Sequence, residues 1–282
     1  NVSMTYHGYE NKLKCHYCGA EKPVATKCPE CGSDKIRYFG TGTQKLEQEI
    51  IKQFPGSTTI RMDVDTVSKK NSHEQILNKF RNENIDILIG TQMVVKGHHF
   101  PNVTLVGVIA ADSSLNIDDY RATERTFQIL TQVAGRAGRG ELPGKVIIQT
   151  YNPENFSIQA AQKQNYLEFY ETELALRKQL KYPPFCDIIV MKFEGKDENL
   201  IKQLSLQSYN YLKSIQLENI QVFRPAPAPI DKIQNRYRWR IIMKGIIDEN
   251  FNSICNNLLN KIYMKNLKDA RISIDVNPNN MV

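Results

Sequence analysis

The chain has 282 residues, of which 41% are apolar and 24% charged, a composition typical of a globular protein long enough for two domains. Its 37 Lys and Arg residues exceed its 30 Asp and Glu residues, and the resulting net charge of +7 favours a polyanionic partner such as nucleic acid. No apolar run is long enough to span a bilayer, and the first residues, "NVSMTYHGYE", lack the pattern of a signal peptide. We therefore expect a cytoplasmic protein with no membrane partner. Because residue 1 is Asn rather than Met, we also expect a piece of a longer protein.

Four cysteines near the start of the chain form two C-x-x-C pairs. "CHYC" supplies Cys15 and Cys18, and "CPEC" supplies Cys28 and Cys31. Each short turn directs two sulfurs toward one point, as tetrahedral zinc ligands require, so we predict bound Zn²⁺. Disulfides and a thioredoxin-like redox pair are the alternatives, and a reducing compartment disfavours the first of them. Whether the four thiolates bind one ion stays open, because ligands upstream of residue 1 could complete either pair.

The middle of the chain alternates helical and strand patterns. Short apolar runs rich in β-branched residues predict strands within residues 57–62, 86–90, 103–110 and 145–150. Between them, apolar residues recur with helical periodicity from residues 43, 72 and about 120. This alternation is typical of a parallel sheet with helices on both faces.

Polar residues follow two of the predicted strands. Ligands of parallel sheets bind at the carboxyl ends of the strands. After "DILIG", Thr91 and Gln92 offer a hydroxyl and an amide and Lys96 offers a cation, which suits phosphate groups. A polar loop without a ligand is the alternative. Asp63 and Asp65 follow the preceding strand, and we expect a solvated loop there rather than a metal site.

The segment "QVAGRAGRG" ends the helix that starts at about residue 120. On a helix Gln132, Arg136 and Arg139 lie at i, i+4 and i+7 and share one face. Two guanidiniums at a sheet edge, surrounded by glycines that add no bulk, form a receptor for a phosphate whose charge grows during transfer. A solvated basic helix end, favoured by the helix dipole, is the alternative.

After "KYPPF" the pattern changes to the order βαββαβ, which predicts a ferredoxin-like domain in which "IQVFRPAPAP" is a strand running into a proline-stiffened turn. Arg236, Arg238 and Arg240 alternate with Tyr237 and Trp239, so strand geometry places the arginines on one face and the rings on the other. This row suits the phosphates of single-stranded DNA or the acidic tail of a single-strand-binding protein. A solvated strand face is the alternative, and we expect Trp239 in the core rather than stacked on a base.

Several segments together resemble one family. They are the cysteine pairs, "GTGTQKLEQEI", "ILIGTQMVVKGHHFPNVTLVGV", "YRATERTFQILTQVAGRAGRG" and "YPPF". Nearly the whole chain is similar to the C-terminal part of the PriA family, the bacterial primosomal replication-restart helicases of superfamily 2. The resemblance implies a nucleoid-associated, ATP-dependent 3′ to 5′ DNA helicase that recognises and remodels stalled replication forks and starts primosome assembly. It implies, as partners, single-stranded and forked DNA, a single-strand-binding protein, other primosome proteins and the replicative helicase loader.

The resemblance also assigns roles to residues. It makes Arg136 and Arg139 the motif VI arginines that face the γ-phosphate of ATP, with Gln132 coupling that site to the rest of the motor. ATP and Mg²⁺ would bind mainly to the first motor lobe. The positions that it places at DNA, in motif V and the motif IV region, are Thr43, Thr91, Gln92 and Lys96.

The sequence departs from the family pattern in several places. It contains no G-x-x-x-x-G-K-[ST] and no D-E-x-H segment, which supply the phosphate cradle and the magnesium-binding acid, so we expect these 282 residues alone not to hydrolyse ATP. The family's cysteine-rich region resembles eight ligands for two zinc ions, of which only the last four are present. Asp118 stands where the family commonly has Pro, and Asn277 stands where it has Asp; neither position touches the motor residues.

The sequence therefore predicts an α/β protein with four regions. Residues 1–38 form a partial cysteine-rich zinc-binding region, residues 39–165 a RecA-like second helicase lobe with a parallel sheet, residues 166–185 a helical linker, and residues 186–282 a ferredoxin-like domain that binds DNA or a partner. A non-catalytic zinc-ribbon scaffold that binds nucleic acid is the rival interpretation, and the segments around Gln132 and Thr91 favour the motor.

Overall fold

The chain is seen here in a computed structural model that describes residues 5–7, 12–14, 20–35, 42–63, 66, 72–95, 100, 102–135, 137, 143–215, 217, 219–263 and 269–281. It folds into two compact units that are each discontinuous in sequence. The C-terminal unit consists of Asn1–Ala25, Ser113–Glu124 and Leu167–Val282, and the central unit consists of Thr26–Asp112 and Arg125–Tyr166.

Strands and helices appear in the order that the sequence patterns predict, with additional short elements. The strands are β1 Thr5–His7, β2 Lys12–Lys14, β3 Glu21–Pro23, β4 Thr59–Met62, β5 Ile87–Gly90, β6 Leu105–Val108, β7 Lys145–Ile148, β8 Asp187–Gly195, β9 Ile220–Val222, β10 Ala226–Ile233, β11 Arg236–Gly245 and β12 Arg271–Val276. The α-helices are α1 Thr43–Gln53, α2 Ser72–Asn82, α3 Asp112–Leu115, α4 Ala122–Ala134, α5 Phe156–Gln162, α6 Tyr166–Leu180, α7 Glu198–Ser214 and α8 Glu249–Tyr263. Within the described part of the chain, no helix has the length and hydropathy that a bilayer span requires.

The central unit contains two parallel strand pairs, which confirms the predicted parallel strands. β4 pairs with β5 and ends with Met62 opposite Gly90, while β6 pairs with β7. Met62, Leu77 and Phe100 form a buried cluster beside β4, and the ring of Phe100 meets the ring of Phe80 edge-on at 5.4 Å. The carboxyl ends of β4 and β5 therefore lie side by side, and a buried apolar cluster packs against this strand pair.

The C-terminal unit is built on an antiparallel sheet with the strand order β10-β11-β8-β12, and β9 also pairs with β11. One face of this sheet packs against α7 and α8, because alternate residues of β8 and β11 are apolar. The buried strand residues of this cluster are Ile189, Met191, Phe193, Ile220, Val222, Ile241, Met243 and Ile272. Trp239 packs at the margin of the same cluster, as the sequence predicts.

The opposite face of this sheet is covered in part by segments of the same unit. Ile188, Val190 and Ile242 form a second buried cluster with Met281, and the rings of Tyr120 and Tyr182 stack beside it at 5.4 Å. A separate antiparallel sheet, β1-β2-β3, precedes this unit's main sheet in the chain.

The predicted strand in "IQVFRPAPAP" is wrong in its extent. β9 ends at Val222, and the prolines that were expected to form a turn, Pro227 and Pro229, lie inside β10. β10 is the last strand in the sheet order, so the N–H groups that proline lacks are not needed to pair with a further strand.

Gly245 makes the closest backbone approach in this sheet and gives a test of the fold. A Cβ on Gly245 would collide with the carbonyl oxygen of Asn219 and lie 2.8 Å from Ile220 Cα. Because both groups belong to backbone, we expect Gly245→Ala to lower the free energy of unfolding by about 1–3 kcal/mol, measured by urea denaturation. Gly107→Ala in β6 is the matched control, since nothing lies within 4 Å of its added Cβ. Equal stability of the two variants would contradict this packing.

Candidate functional site

The turn that follows β5 presents two predicted site residues to solvent. A Cβ on Gly90 would lie 2.6 Å from the carbonyl oxygen of Met62, so only glycine allows the chain to leave the sheet this close to β4. Thr91 and Gln92 come next, and both are exposed. Lys96 lies outside the described residues, so its place in this site stays a prediction. The described part supplies a hydroxyl and an amide at the carboxyl end of a parallel strand pair.

Thr43 begins α1, and its hydroxyl proton is used inside the protein. Thr43 Oγ1 donates a hydrogen bond of 2.5 Å to Asp63 Oδ2. A hydroxyl has one proton and phosphate oxygens are acceptors, so this hydroxyl does not donate to Asp63 and to DNA at once. The N-cap residue Gly42 makes no side-chain hydrogen bond to the first turn of α1. A DNA phosphate at Thr43 would therefore be bound by backbone N–H groups of that turn.

Asp63 directly follows β4, and the predicted solvated loop is wrong for this residue because only 6% of its surface is exposed. The N–H of Thr66 donates to Asp63 Oδ1 at 2.9 Å, and Arg61 Nε lies 3.0 Å from Asp63 Oδ2. The hydrogen bond from the Thr43 hydroxyl is the largest influence that lowers the pKa of Asp63, and Thr66 and Arg61 act in the same direction. Asp65 lies outside the described residues. The carboxylate thus organises the edge of β4 and is not presented to a metal ion.

The end of α4 carries the first of the residues predicted to face nucleotide. Gln132 is exposed, whereas Phe127, Leu130 and Val133 on the same helix are buried. The helix therefore turns Gln132 away from its packed side. Arg136 and Arg139 lie outside the described residues, so their positions and their role remain predictions.

The second cysteine pair lies in a tight turn. The N–H of Gly32 donates to the carbonyl of Cys28 at 2.9 Å, and the N–H of Cys28 donates to the carbonyl of Ser33 at 2.8 Å. Gly32 has a φ of +69°, a conformation that favours glycine and closes the turn directly after Cys31. This backbone fits a zinc knuckle, which supplies two of the four ligands of a structural zinc site.

The thiol chemistry of Cys28 also fits a metal ligand. A backbone hydrogen bond from Cys31 is the main influence that lowers the pKa of Cys28, which favours the thiolate that binds zinc. Cys15 and Cys18 lie outside the described residues. Among the residues that the structure does describe, no group of three or more His, Cys, Asp or Glu side chains forms a metal site.

Arg236 and Arg238 lie on the partly covered face of the C-terminal sheet and already have protein partners. Arg238 Nε donates to Glu194 Oε1 at 3.2 Å, and its Nη1 donates to the carbonyl of Ile230 at 3.3 Å. Arg236 Nη2 donates to the carbonyl of Asp269 at 2.8 Å. Both side chains are half-buried, so this strand face is neither fully solvated nor a row of free cations.

Arg240 requires a correction, because it is only 3% exposed and is not accessible to DNA or to a partner. Its Nη2 donates to Asp118 Oδ2 at 3.0 Å, and its Nη1 donates to the carbonyl of Met281. Burial raises the pKa of Asp118, while the charge of Arg240 acts in the opposite direction. Arg240 therefore has a structural role. Of the three arginines predicted to bind DNA or a partner, only Arg236 and Arg238 remain candidates.

Sequence reasoning missed the segment that meets Arg240. Asp119 accepts hydrogen bonds from the N–H groups of Arg121, at 2.9 Å, and Met281, at 3.2 Å. Arg121 Nη1 in turn donates to Asn279 Oδ1 at 2.9 Å. The one signal in the sequence was that Asp118 stands where the family commonly has Pro. That signal did not indicate which residue would pair with the carboxylate.

Three family models match successive parts of the chain. A model described as "PriA DNA helicase Cys-rich region (CRR) domain" matches residues 1–23, one described as "Helicase conserved C-terminal domain" matches residues 30–141, and one described as "Primosomal protein N C-terminal domain" matches residues 178–279. The second match contains Thr43 at the start of α1, together with Asp63 after β4 and Thr91 after β5.

Curated relatives with the name "Replication restart protein PriA" align with most of the chain. The Bacillus subtilis relative is 44% identical over 280 residues, which is 99% of this chain and 35% of that protein. The Synechocystis relative is 43% identical over 249 residues, 86% of this chain and 30% of that protein, and the Borreliella burgdorferi relative is 38% identical over 276 residues, 98% of this chain and 41% of that protein. The chain thus spans between 30% and 41% of the length of these relatives. The succession of matching models and the similarity along nearly its whole length show that the chain belongs to the PriA family of replication restart proteins.

Proposed function

We propose that this chain provides the second motor lobe, a zinc-binding region and the C-terminal domain of an ATP-dependent 3′ to 5′ DNA helicase that remodels stalled replication forks and starts primosome assembly. The observation that carries the proposal is the exposed turn with Thr91 and Gln92 at the carboxyl end of the parallel β4–β5 pair. This turn lies inside the region that matches a helicase C-terminal domain. Parallel sheets bind their ligands at this edge.

In this proposal the end of α4 serves the nucleotide. Arg136 and Arg139 follow the end of α4 at Ala134 and would face the γ-phosphate of ATP, whose charge grows during transfer. ATP and Mg²⁺ would be held mainly by residues outside this chain. The solvent-facing position of Gln132 supports this assignment, since the buried side of α4 is mainly apolar.

The DNA strand would meet the same edge of the central unit. Thr91 and Gln92 would bind backbone phosphates through a hydroxyl and an amide, and Lys96 would add a cation. At Thr43 the donors would be the backbone N–H groups of α1, because Asp63 takes the hydroxyl proton. Such contacts position a strand without reading its sequence, as a helicase requires.

The C-terminal unit would bind DNA or a protein partner. We propose a ferredoxin-like arrangement for residues 186–282, supported by the element order βαββαβ once β9 and β10 are taken together and by the strand order β10-β11-β8-β12. Arg236 and Arg238 would contact single-stranded or forked DNA or the acidic tail of a single-strand-binding protein. Other primosome proteins and the replicative helicase loader are further partners in this proposal.

The cysteine pairs would hold Zn²⁺. The left-handed turn at Gly32 and the lowered pKa of Cys28 support a zinc knuckle at Cys28 and Cys31. The sequence extends the same spacing to Cys15 and Cys18. Bound zinc would stabilise the fold of this short region, which has too few residues to form a hydrophobic core.

The role of Arg139 predicts a loss of turnover. In the full-length protein, we expect Arg139→Ala to lower DNA-stimulated phosphate release by about 10³- to 10⁵-fold, because an arginine finger contributes on this scale. Arg81→Ala, at the exposed end of α2, is the control and should retain activity. A rate for Arg139→Ala equal to that of the control would reject the motor assignment.

Zinc binding predicts a change in metal content. We expect Cys28→Ser combined with Cys31→Ser to lower the zinc per chain, measured by elemental analysis of the purified protein, because a serine hydroxyl is a much poorer zinc ligand than a thiolate. Cys186→Ser is the control, since Cys186 lies outside both C-x-x-C pairs. Unchanged zinc in the double variant would remove these thiols from the metal site.

Substitutions at the two kinds of arginine pair in the C-terminal unit are expected to have different effects, one mainly on stability and the other mainly on DNA binding. Asp118→Asn leaves Arg240 charged and buried, so we expect the free energy of unfolding to fall by about 3–5 kcal/mol. Arg238→Gln breaks a more exposed pair and should cost less than about 1 kcal/mol in stability, while it weakens binding to single-stranded DNA and makes the salt dependence shallower.

A compensating variant checks the first half of this prediction. Replacing both buried partners, Asp118→Leu with Arg240→Met, removes the uncompensated charge and should recover most of the stability, measured by urea denaturation. If Asp118→Asn unfolds at the same urea concentration as the unmodified chain, the buried pair does not hold this face.

A further inference from the structure

The hairpin between β10 and β11 ends in a tight turn that projects exposed side chains. Gln234 and Asn235 occupy the turn with φ values of +48° and +60°, the backbone signs of a two-residue hairpin whose twist matches its strands. Lys232 is paired with Tyr237, and Ile233 is paired with Arg236, the last pair before the turn. The register thus fixes which side chains lie together at the tip.

Two apolar side chains at this tip are open to solvent. Ile230 is 49% exposed and Ile233 is 42% exposed. The register places Ile233 directly across from Arg236, on the sheet face that also carries Arg238. The end of the hairpin therefore exposes two isoleucines, one of them opposite a guanidinium group.

The charges around the tip are mostly positive. Lys232 Nζ lies 4.3 Å from the centroid of the Tyr237 ring and donates to its hydroxyl at 3.1 Å. This contact stiffens the hairpin beside the turn. Asp231 is the acidic residue among residues 230–238, against Lys232, Arg236 and Arg238, so the segment has a net charge of +2.

We propose that residues 230–238 form a DNA-junction tip, in which Ile230 and Ile233 pack on the terminal base pair of a fork while Lys232 and Arg236 lie along its phosphates. The inference rests on the proposed function, because it deepens the DNA binding assigned to this unit. Apolar wedge residues in DNA-binding proteins act on exposed or unstacked base steps in this way. The positive charge selects a polyanion, and the apolar pair selects a flat base surface over a bare phosphate chain.

A fork suits this tip better than a continuous single strand. A two-residue turn is narrow, so it offers little surface along which a flexible strand could lie. The end of a duplex presents one rigid apolar face with phosphates on both sides. Two isoleucines flanked by cations complement that face.

The test compares DNA binding by variants of the 282-residue chain. Binding to a forked DNA with 2-aminopurine in its terminal base pair, and to a single strand of equal length, is measured by fluorescence anisotropy and by the 2-aminopurine signal. We expect Ile230→Ser combined with Ile233→Ser to weaken fork binding about tenfold, to remove the 2-aminopurine change, and to alter single-strand binding less than about twofold. Leu206→Ser is the matched control, since Leu206 lies on α7 and is also 49% exposed.

Each outcome decides one question. Normal fork binding and a normal 2-aminopurine change in the double isoleucine variant overturn the junction tip alone, as does an equal effect of Leu206→Ser. If the double isoleucine variant loses binding to an acidic protein partner but binds the fork normally, the junction tip is overturned and these residues form a protein interface instead. If the unmodified chain binds neither DNA, the DNA role proposed for the C-terminal unit fails together with the tip. Thermal melting of the variants confirms that the exposed substitutions leave the fold intact.

Discussion

The buried charge of Arg240 is the constraint on which the C-terminal unit depends. A guanidinium that is 3% exposed loses nearly all of its hydration, and this cost is offset only when its donors are bound. Asp118 and the carbonyl of Met281 bind those donors, and they come from two segments far from β11 in sequence. Because one unpaired charge is so unfavourable in this position, the sheet, the segment around Asp118 and the last described residues must be ordered together.

That constraint divides the arginines of β11 by function. Of the three arginines, Arg240 is the one that the segments around Asp118 and Met281 cover, so its charge stabilises the fold. Arg236 and Arg238 lie nearer the hairpin turn, where their partners are a backbone carbonyl and a half-buried carboxylate. Bonds of that kind are weaker and exchange more readily with an incoming phosphate. Distance from the covered part of the sheet therefore decides which guanidinium groups remain partly exposed to solvent.

In the central unit, a buried negative charge imposes a similar constraint. Asp63 is buried at the end of β4, and the hydroxyl of Thr43 and the N–H of Thr66 stabilise its ionised form. A donor that stabilises a buried carboxylate is not available to a ligand. Thr91 and Gln92, on the turn that Gly90 permits, are instead exposed to solvent.

Periodicity in the sequence was enough to predict most helices and strands, because burial on one face imposes it directly. It placed Trp239 at the core, where the structure also has it. It could not predict the partner of Arg240, since alternation assigns a face but says nothing about which remote segment covers that face. It could not predict the burial of Asp63 for the same reason. Pro227 and Pro229 misled the strand assignment because an edge strand tolerates proline, and edge position is a property of the whole sheet.

The same prolines limit how a partner can bind the C-terminal sheet. β10 is the outer strand beside β11, and an outer strand is a template for an added strand from another chain. Two prolines remove donors from β10, and the register shifts between Pro227 and Lys232, so the spacing of the remaining groups is irregular. Pairing by an extended peptide is therefore unfavourable along β10. A partner that approaches from this side meets the exposed side chains of the hairpin instead of an open strand edge.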